Sequence, residues 1–284
     1  MSATLIAVPL DRRICTQARL SRDARFDGLF FIAVRSTGIF CRVVCPAPTA
    51  KERNVEYYAN AGSAAAAGYR PCLRCRPEAA PGTPLRTRSV LVAAALRLIE
   101  TGWLDRGSVA DLAARIGVGE RHLRRLFLAE VGAGPLDIAA TRRLLFAKKL
   151  LGETNLPVTQ IGLAAGYRSV RRFNAAFLAS YRQSPRALRK ARVRDTSSAL
   201  TLRLPYRAPY DFAALLAFFA RRAIPGIESV DARSYSRRFA FDGMAGSLRV
   251  SQVPDENVLA LTVEFAHAAP LQEISARVRR MFDL

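Results

Sequence analysis

Four of the five cysteines fall in two close pairs, Cys41-x3-Cys45 and Cys72-x2-Cys75, with 26 residues between them. Two such pairs separated by a loop are the sequence form of a tetrahedral four-cysteine site, and Zn2+ is the ion that this ligand set suits. Each pair is expected on a tight turn, so that two sulfurs face one ion. Tyr57, Tyr58 and Tyr69, in the intervening loop, are expected to build a small core around the metal. The alternative for paired cysteines is a disulfide, which a reducing compartment disfavours. A closed four-sulfur site reads first as structural. One chemistry escapes that reading: zinc keeps all four sulfurs deprotonated, and a thiolate can attack an electrophilic methyl group. Zinc with four thiolates carries a formal charge of −2, and methylating one sulfur leaves −1. Close to phosphates that change strengthens binding and makes the reaction a switch. The fifth cysteine, Cys15, lies outside the pattern and reads as a small buried residue.

The elements around this site fall into three regimes. The cysteine-bearing module takes residues 1–80, and Glu78-Ala79-Ala80-Pro81-Gly82-Thr83-Pro84 reads as a linker. Residues 85–192 are helical by apolar spacing. There Ser108 is placed to cap a helix carrying Val109, Leu112, Ala113 and Ile116. A Gly117-Val118-Gly119 turn follows, and then a second helix, Glu120–Val131, with Leu123, Leu126 and Phe127 inward. This is a helix-turn-helix, and Arg121, His122, Arg124 and Arg125 on its outer face are candidate DNA contacts. The pattern recurs about 50 residues later. Val158, Ile161, Leu163 and Ala164 precede Gly166-Tyr167 and a helix in which Phe173 and Phe177 face inward. Ser169, Arg171, Arg172 and Asn174 are the matching contact candidates. Pro135–Leu151 is read as one long helix that separates the two units by about one DNA turn. Trp103 reads as core. Arg186–Arg194 is a basic connector.

Residues 198–284 read as a small antiparallel α+β unit. Leu200, Leu202 and Leu204 alternate with polar residues as in a strand, and Asp211–Arg222 is a helix. Strand-like runs follow near Ser236–Phe241, Ser247–Val253 and Val258–Phe265, and Leu271–Phe282 closes as a helix. His267 reads as structural. The fold class is therefore α+β multidomain: a small zinc module, an all-α double helix-turn-helix and an antiparallel α+β unit.

Composition points to the partner. The 284 residues carry 44 Lys plus Arg against 23 Asp plus Glu, a formal charge of +21. The excess is mostly Arg, whose planar fork suits phosphate and guanine edges. A polyanion is the expected ligand, with double-stranded DNA ahead of an anionic membrane surface. No apolar run reaches the roughly 18 residues of a membrane span, and the N-terminus lacks a signal-peptide pattern, so a cytoplasmic location is expected.

Three resemblances sharpen these readings. Asp23–Gly28, Phe31–Arg42, Asn54-Val55 and Gly68–Pro77 resemble the metal-binding domain of Ada proteins. That resemblance implies that Cys41 irreversibly accepts a methyl group from a DNA methylphosphotriester while Cys45, Cys72 and Cys75 serve as ligands. It also places Thr37, Arg42 and Arg74 where backbone phosphates are contacted. Pro46-Ala47-Pro48 departs from the Arg-richer pattern of better-known members. Gly166-Tyr167-x-Ser169-x3-Phe173-x3-Phe177 with Ser184-Pro185 resembles the AraC-type DNA-binding domain, which implies seven helices and two readers in consecutive major grooves. Segments from Leu202 to Leu284 resemble the N-terminal domain of AlkA-type 3-methyladenine glycosylases, in which the catalytic domain follows. The expected function is a suicide DNA methyltransferase coupled to promoter binding, acting as a monomer, with RNA polymerase a further candidate partner and no membrane partner. Two alternatives stay open: an AraC-type transcription factor with a purely structural zinc, and a 3-methyladenine glycosylase. The latter activity is not expected of this chain, and Asp211, Asp242, Asp255 and Asp283 are given no catalytic role. The Pro-Cys-His-Arg kind of second acceptor motif is missing, so methylguanine repair is not expected.

Overall fold

The computed structural model describes residues 10–82, 89–189, 199–266 and 270–284. Thr83-Pro84 of the expected linker, the connector from Lys190 to Arg194, and His267 lie outside these.

The first module opens with α1 (Arg12–Ser21), capped by the Asp11 side chain on the Arg13 and Ile14 amides. A four-stranded sheet follows, in the order β3 (Val55–Tyr58), β1 (Phe31–Val34), β2 (Ile39–Cys41), β4 (Arg70–Pro71), with α2 (Ala61–Ala66) between β3 and β4. No strand was expected here, because two- to four-residue strands give too few alternations for a period to show. The sheet buries apolar residues on both faces. Ile32 and Val55 join Cys15, Ala18, Phe30 and Val43 on one side, while Phe31, Ala33, Phe40 and Ala64 pack on the other. The three tyrosines divide between these faces rather than ringing the sulfurs. The Tyr57 ring meets Phe30 edge-on at 5.7 Å, while Tyr58 and Tyr69 lie 5.8 Å apart and both donate to Glu56 Oε2.

The helical region runs α3 (Val90–Glu100), α4 (Trp103–Arg106), α5 (Val109–Arg115), α6 (Glu120–Val131), α7 (Pro135–Glu153), α8 (Val158–Ala164), α9 (Val170–Tyr181) and α10 (Pro185–Leu188). That is eight helical segments against the seven expected; the left-handed Gly102 breaks off α4 as one short turn. Ser108 and Asp111 form a reciprocal capping box on α5. Each helix-turn-helix pivots on a glycine with positive φ, Gly117 at 77° and Gly166 at 85°. At Gly166 a Cβ would stand 2.3 Å from the Asp105 carboxylate, so both φ and space require glycine. Two expectations are corrected here. Leu163 is exposed on the outer side of α8; Gly162 takes the inward position, so close to the Phe173 ring that a Cβ would stand 2.9 Å from it. Trp103 lies on the surface, because the turn at Gly102 sends Leu104 into the core instead.

The long helix α7 belongs to two cores. Its N-terminal half places Ala139 among Val92, Ile99, Leu112, Leu123 and Phe127. Its C-terminal half places Leu144, Ala147 and Leu150 with Ile161, Phe173 and Phe177. Nineteen residues give it a length of about 28 Å at 1.5 Å per residue, close to the ~34 Å repeat of duplex DNA.

The last region is β5 (Leu200–Pro205), α11 (Phe212–Ala220), β6 (Glu228–Val230), β7 (Ser234–Phe241), β8 (Met244–Gln252), β9 (Val258–Glu264) and α12 (Leu271–Met281). The strands form one antiparallel sheet in the order β5-β9-β8-β7-β6. β6 is an extra edge strand whose three residues carry no readable alternation. Leu202 pairs with Leu261 and Leu204 with Leu259, so the alternating leucines line one buried face against α11 and α12. That face is continuous with the second helix-turn-helix: one cluster joins Leu150, Phe173 and Phe177 to Leu202, Leu261, Val278 and Phe282.

Candidate metal centre and nucleic-acid interface

Strand pairing assembles the sulfur cluster. The parallel β2–β4 ladder pairs Phe40 with Pro71, and the Cys72 amide donates to Phe40 O at 3.0 Å. Cys41 and Cys72 thus leave adjacent strand ends side by side. A turn closed by Cys45 N to Arg42 O at 3.2 Å returns the second sulfur, and the Cys72–Cys75 turn returns the fourth. The four Sγ atoms all lie within 4.8 Å of one another. Cys72 and Cys75 are buried, while Cys41 and Cys45 are half-exposed.

The donor set fits a thiophilic cation. Four sulfurs at this spacing cannot all be anions without one. Hydrogen bonding to Cys45, reinforced by burial, pushes the Cys41 thiol far above the ordinary range. The same pairing with Cys41 lowers Cys45 to about 7 and pulls Cys72 well down. A divalent ion replaces this sharing of protons with four thiolates. Backbone amides are distributed unevenly over the cluster. Cys45, Cys72 and Cys75 each have a backbone N–H as a stabilising partner, from Ala47, Cys75 and Arg42 respectively. At Cys41, contacts with the other three sulfurs dominate. Cys15 is buried 3% exposed beneath the sheet, away from the cluster, and burial pushes its thiol up to about 11.

Arg42 departs from its expected place at the phosphate surface. Its guanidinium forms an ion pair with Asp27 and donates to Cys75 O at 3.1 Å; its own amide donates to Cys75 Sγ at 3.3 Å. The residue braces the metal turn from behind, because Asp27 is a buried carboxylate that must be neutralised. Asp27 had no role in the sequence reading; an acidic residue inside Phe26–Phe31 was the available signal. Arg42→Ala should weaken zinc binding about 10- to 100-fold, the usual effect of losing a partner behind the ligands. Competition against a chromophoric chelator reads that change, and unchanged affinity would deny Arg42 its bracing role.

The other expected residues lie on surfaces. Thr37 is exposed on the β1–β2 hairpin, and Arg74 is exposed on the Cys72–Cys75 turn. Arg121, His122, Arg124 and Arg125 are exposed on α6, where Arg124 pairs with Glu120 at 2.6 Å and Arg125 contacts His122 Nδ1 at 3.0 Å. Solvent-facing pairs of this kind are weak and give way readily to a phosphate. Arg171, Arg172 and Asn174 are exposed on α9, whereas the Ser169 hydroxyl accepts from the Arg172 amide as its cap. A cleft of about 830 Å³ between the metal module and α9 brings Thr37 and Arg172 to one place, with Arg70, Arg143, Arg168 and Arg182 also on its walls.

The modules are tied together by charge. Glu78 was read as linker, yet its side chain is only 2% exposed; it accepts from Arg76 and from Lys148 of α7, each at 3.2 Å. An acidic residue surrounded by Ala, Pro and Gly looks like linker composition until its partners are known. Arg207, beyond β5, donates to Asp27 O at 3.0 Å and to Gly82 O.

A thiolate metal module braced against a double helix-turn-helix defines a DNA-binding regulator with a metal–sulfur centre. The chain matches the metal binding domain of Ada over residues 14–78, a helix-turn-helix domain over 112–191 and the AlkA N-terminal domain over 201–284. It is 40% identical over 277 residues to the probable bifunctional transcriptional activator/DNA repair enzyme AlkA of Mycobacterium tuberculosis, covering 95% of this chain and 55% of that one. It is 30% identical to the bifunctional transcriptional activator/DNA repair enzyme AdaA of Bacillus subtilis, covering 61% of this chain and 81% of that one. Among solved structures, the DNA methyl phosphotriester repair domain of E. coli Ada is 50% identical, covering 27% of this chain and 78% of that one, at a TM-score of 0.23. The chain belongs to the Ada family of bifunctional transcriptional activator/DNA repair proteins, and its four-cysteine cluster is a zinc site. It spans about half the length of the mycobacterial relative. Among the described residues no helix is long and apolar enough to cross a membrane.

Proposed function

We propose that Cys41 takes a methyl group from a DNA methylphosphotriester, once per chain, and that the two helix-turn-helix units couple this reaction to promoter binding. The observation that carries the proposal is the uneven environment of the four sulfurs. Cys72 and Cys75 are buried, Cys75 Sγ accepts from the Arg42 amide at 3.3 Å, and Cys45 has the Ala47 amide as a minor stabilising partner. Cys41 is half-exposed, with the other sulfurs as its main partners. A thiolate not engaged by N–H donors keeps its lone pairs for attack. Bound zinc supplies the charge that holds all four sulfurs deprotonated. The Cys41 Sγ–methyl bond forms as the methyl–oxygen bond breaks, and the electron pair leaves on the phosphate oxygen, yielding an ordinary diester. No proton moves.

After transfer one sulfur has lost its negative charge, so the cluster repels a phosphate backbone less. Thr37 and Arg74 are the proposed backbone contacts beside it. Arg121, His122, Arg124 and Arg125 on α6, with Arg171, Arg172 and Asn174 on α9, are the proposed readers. Ser169 enters this set as the cap that sets the start of α9.

The test is to incubate the zinc-loaded chain with methylphosphotriester DNA and weigh its peptides. One methyl is expected on the Cys41 peptide and none on those of Cys72 or Cys75. An unmodified Cys41 peptide with intact DNA binding would leave a transcription factor with a structural zinc.

A further inference from the structure

A second basic site lies away from both reader helices. A groove of about 420 Å³ is walled by α3, the C-terminal end of α5 and α12. Four arginines line it: Arg97, Arg115, Arg277 and Arg280. Its floor is apolar, with Leu98 and Ile116. Arg277 pairs with Glu273 on its own helix. Among the described residues the other three guanidiniums make no hydrogen bond or ion pair. Glu100 is the carboxylate whose field reaches Arg97 and Arg280. Arg277 and Arg280 stand three apart on α12, a spacing that brings like charges close on one helix face.

We propose that this groove binds phosphate groups. Three helices from two regions of the chain point guanidinium groups into one concave volume, and two carboxylates leave that volume net positive. Arginine binds phosphate through two parallel N–H donors, and several forks around one depression match a multiply charged anion better than a single ion pair. Because α12 belongs to the C-terminal region and α3 to the helical region, an occupied groove clamps the two together. The phosphate comes either from the DNA backbone or from a free phosphorylated molecule, and the experiment separates these sources.

The zinc-loaded full chain is titrated with inorganic pyrophosphate at constant ionic strength, and separately with a short duplex of random sequence over a range of salt. Both are repeated with Arg115→Gln/Arg280→Gln. If the source is a free phosphorylated ligand, the variant loses about tenfold or more in pyrophosphate affinity while the duplex salt slope stays the same. If the source is DNA, the slope of log K against log salt becomes shallower by roughly one to two, at about 0.9 per phosphate released, and pyrophosphate binds no differently. Arginine-directed labelling of the unmutated chain guards against a misfolded variant: pyrophosphate or duplex should protect Arg97 and Arg280 from phenylglyoxal. If neither probe protects these arginines and neither affinity changes in the variant, the proposal is overturned.

Discussion

Stripping the metal with a chelator should unfold residues 10–82 and leave the helices folded. The module has little else to hold it. Its sheet ends in a three-residue strand and a two-residue strand, and its ten fully buried apolar side chains are split between two faces. A domain of this size buries too small a core to be stable by itself. Cys41 and Cys45 arrive from one segment, Cys72 and Cys75 from another, and the ion joins them across the loop. A structural zinc contributes about 10–16 kcal/mol to such a fold, far more than two small clusters can replace. The aromatic residues make the outcome easy to read. Trp103 is the single tryptophan and sits in α4, outside the module, whereas Tyr57, Tyr58 and Tyr69 lie inside it. Chelation should therefore remove the share of the tyrosine near-ultraviolet circular dichroism that Tyr57, Tyr58 and Tyr69 contribute, keep the share of the five tyrosines in the other regions, and leave tryptophan emission unchanged. If both signals survive chelation, the cluster does not anchor the fold. Cys41→Ser and Cys75→Ser should each produce the same loss, because a three-sulfur site binds the ion far less tightly.

How much of this is visible in the sequence depends on the range of the interaction. The ligand spacing is local, so Cys41, Cys45, Cys72 and Cys75 could be read directly as one cluster, as could Ser108 at its cap and Phe173 with Phe177 on their inward face. The C-terminal alternation of Leu200, Leu202 and Leu204 also gave its strand, because six residues suffice to establish a period of two. The four-stranded sheet around the sulfurs was invisible for the opposite reason. Its register is set by the pairing of Phe31 with Tyr58 and of Phe40 with Pro71, residues far apart in the chain. Charged residues misled most. Arg42 looked like a phosphate ligand and Glu78 like a solvated linker residue, because a charge says nothing of its partner until the fold supplies one. Asp27, Lys148 and Glu153 carry inter-module contacts that no motif marks.

Glu153→Ala should destabilise the chain by about 3–5 kcal/mol, the cost of leaving one member of a buried pair alone. Glu153 ends α7 with its side chain 6% exposed, and it bonds Lys149 Nζ at 2.9 Å, a cation that is itself 8% exposed. The carboxylate also accepts the Arg203 amide at 2.9 Å, and Lys149 donates to the Arg203 carbonyl. Arg203 lies on β5, an edge strand of the C-terminal sheet, so this pair occupies both free backbone groups of that residue and covers an otherwise open edge. Arg76, next to the metal ligand Cys75, completes the arrangement at 3.8 Å from Glu153. Removing the carboxylate leaves an ammonium without its counter-charge and an unbonded amide, while Arg76 keeps its pair with Glu78. Urea unfolding followed by tryptophan emission measures the loss. Its pH dependence identifies the ammonium's share. Burial already lowers the Lys149 pKa, and Glu153 opposes that shift. Without Glu153 the folded-state pKa falls further below the unfolded value of about 10.4, so the penalty is complete below the folded pKa and fades as pH rises through it. Adding Lys149→Met to Glu153→Ala should recover the ammonium's share at neutral pH and abolish that pH dependence, leaving the cost of the Arg203 amide. If Glu153→Ala alone is neutral, α7 holds the C-terminal sheet by apolar packing, and the charged pair is incidental to the joint.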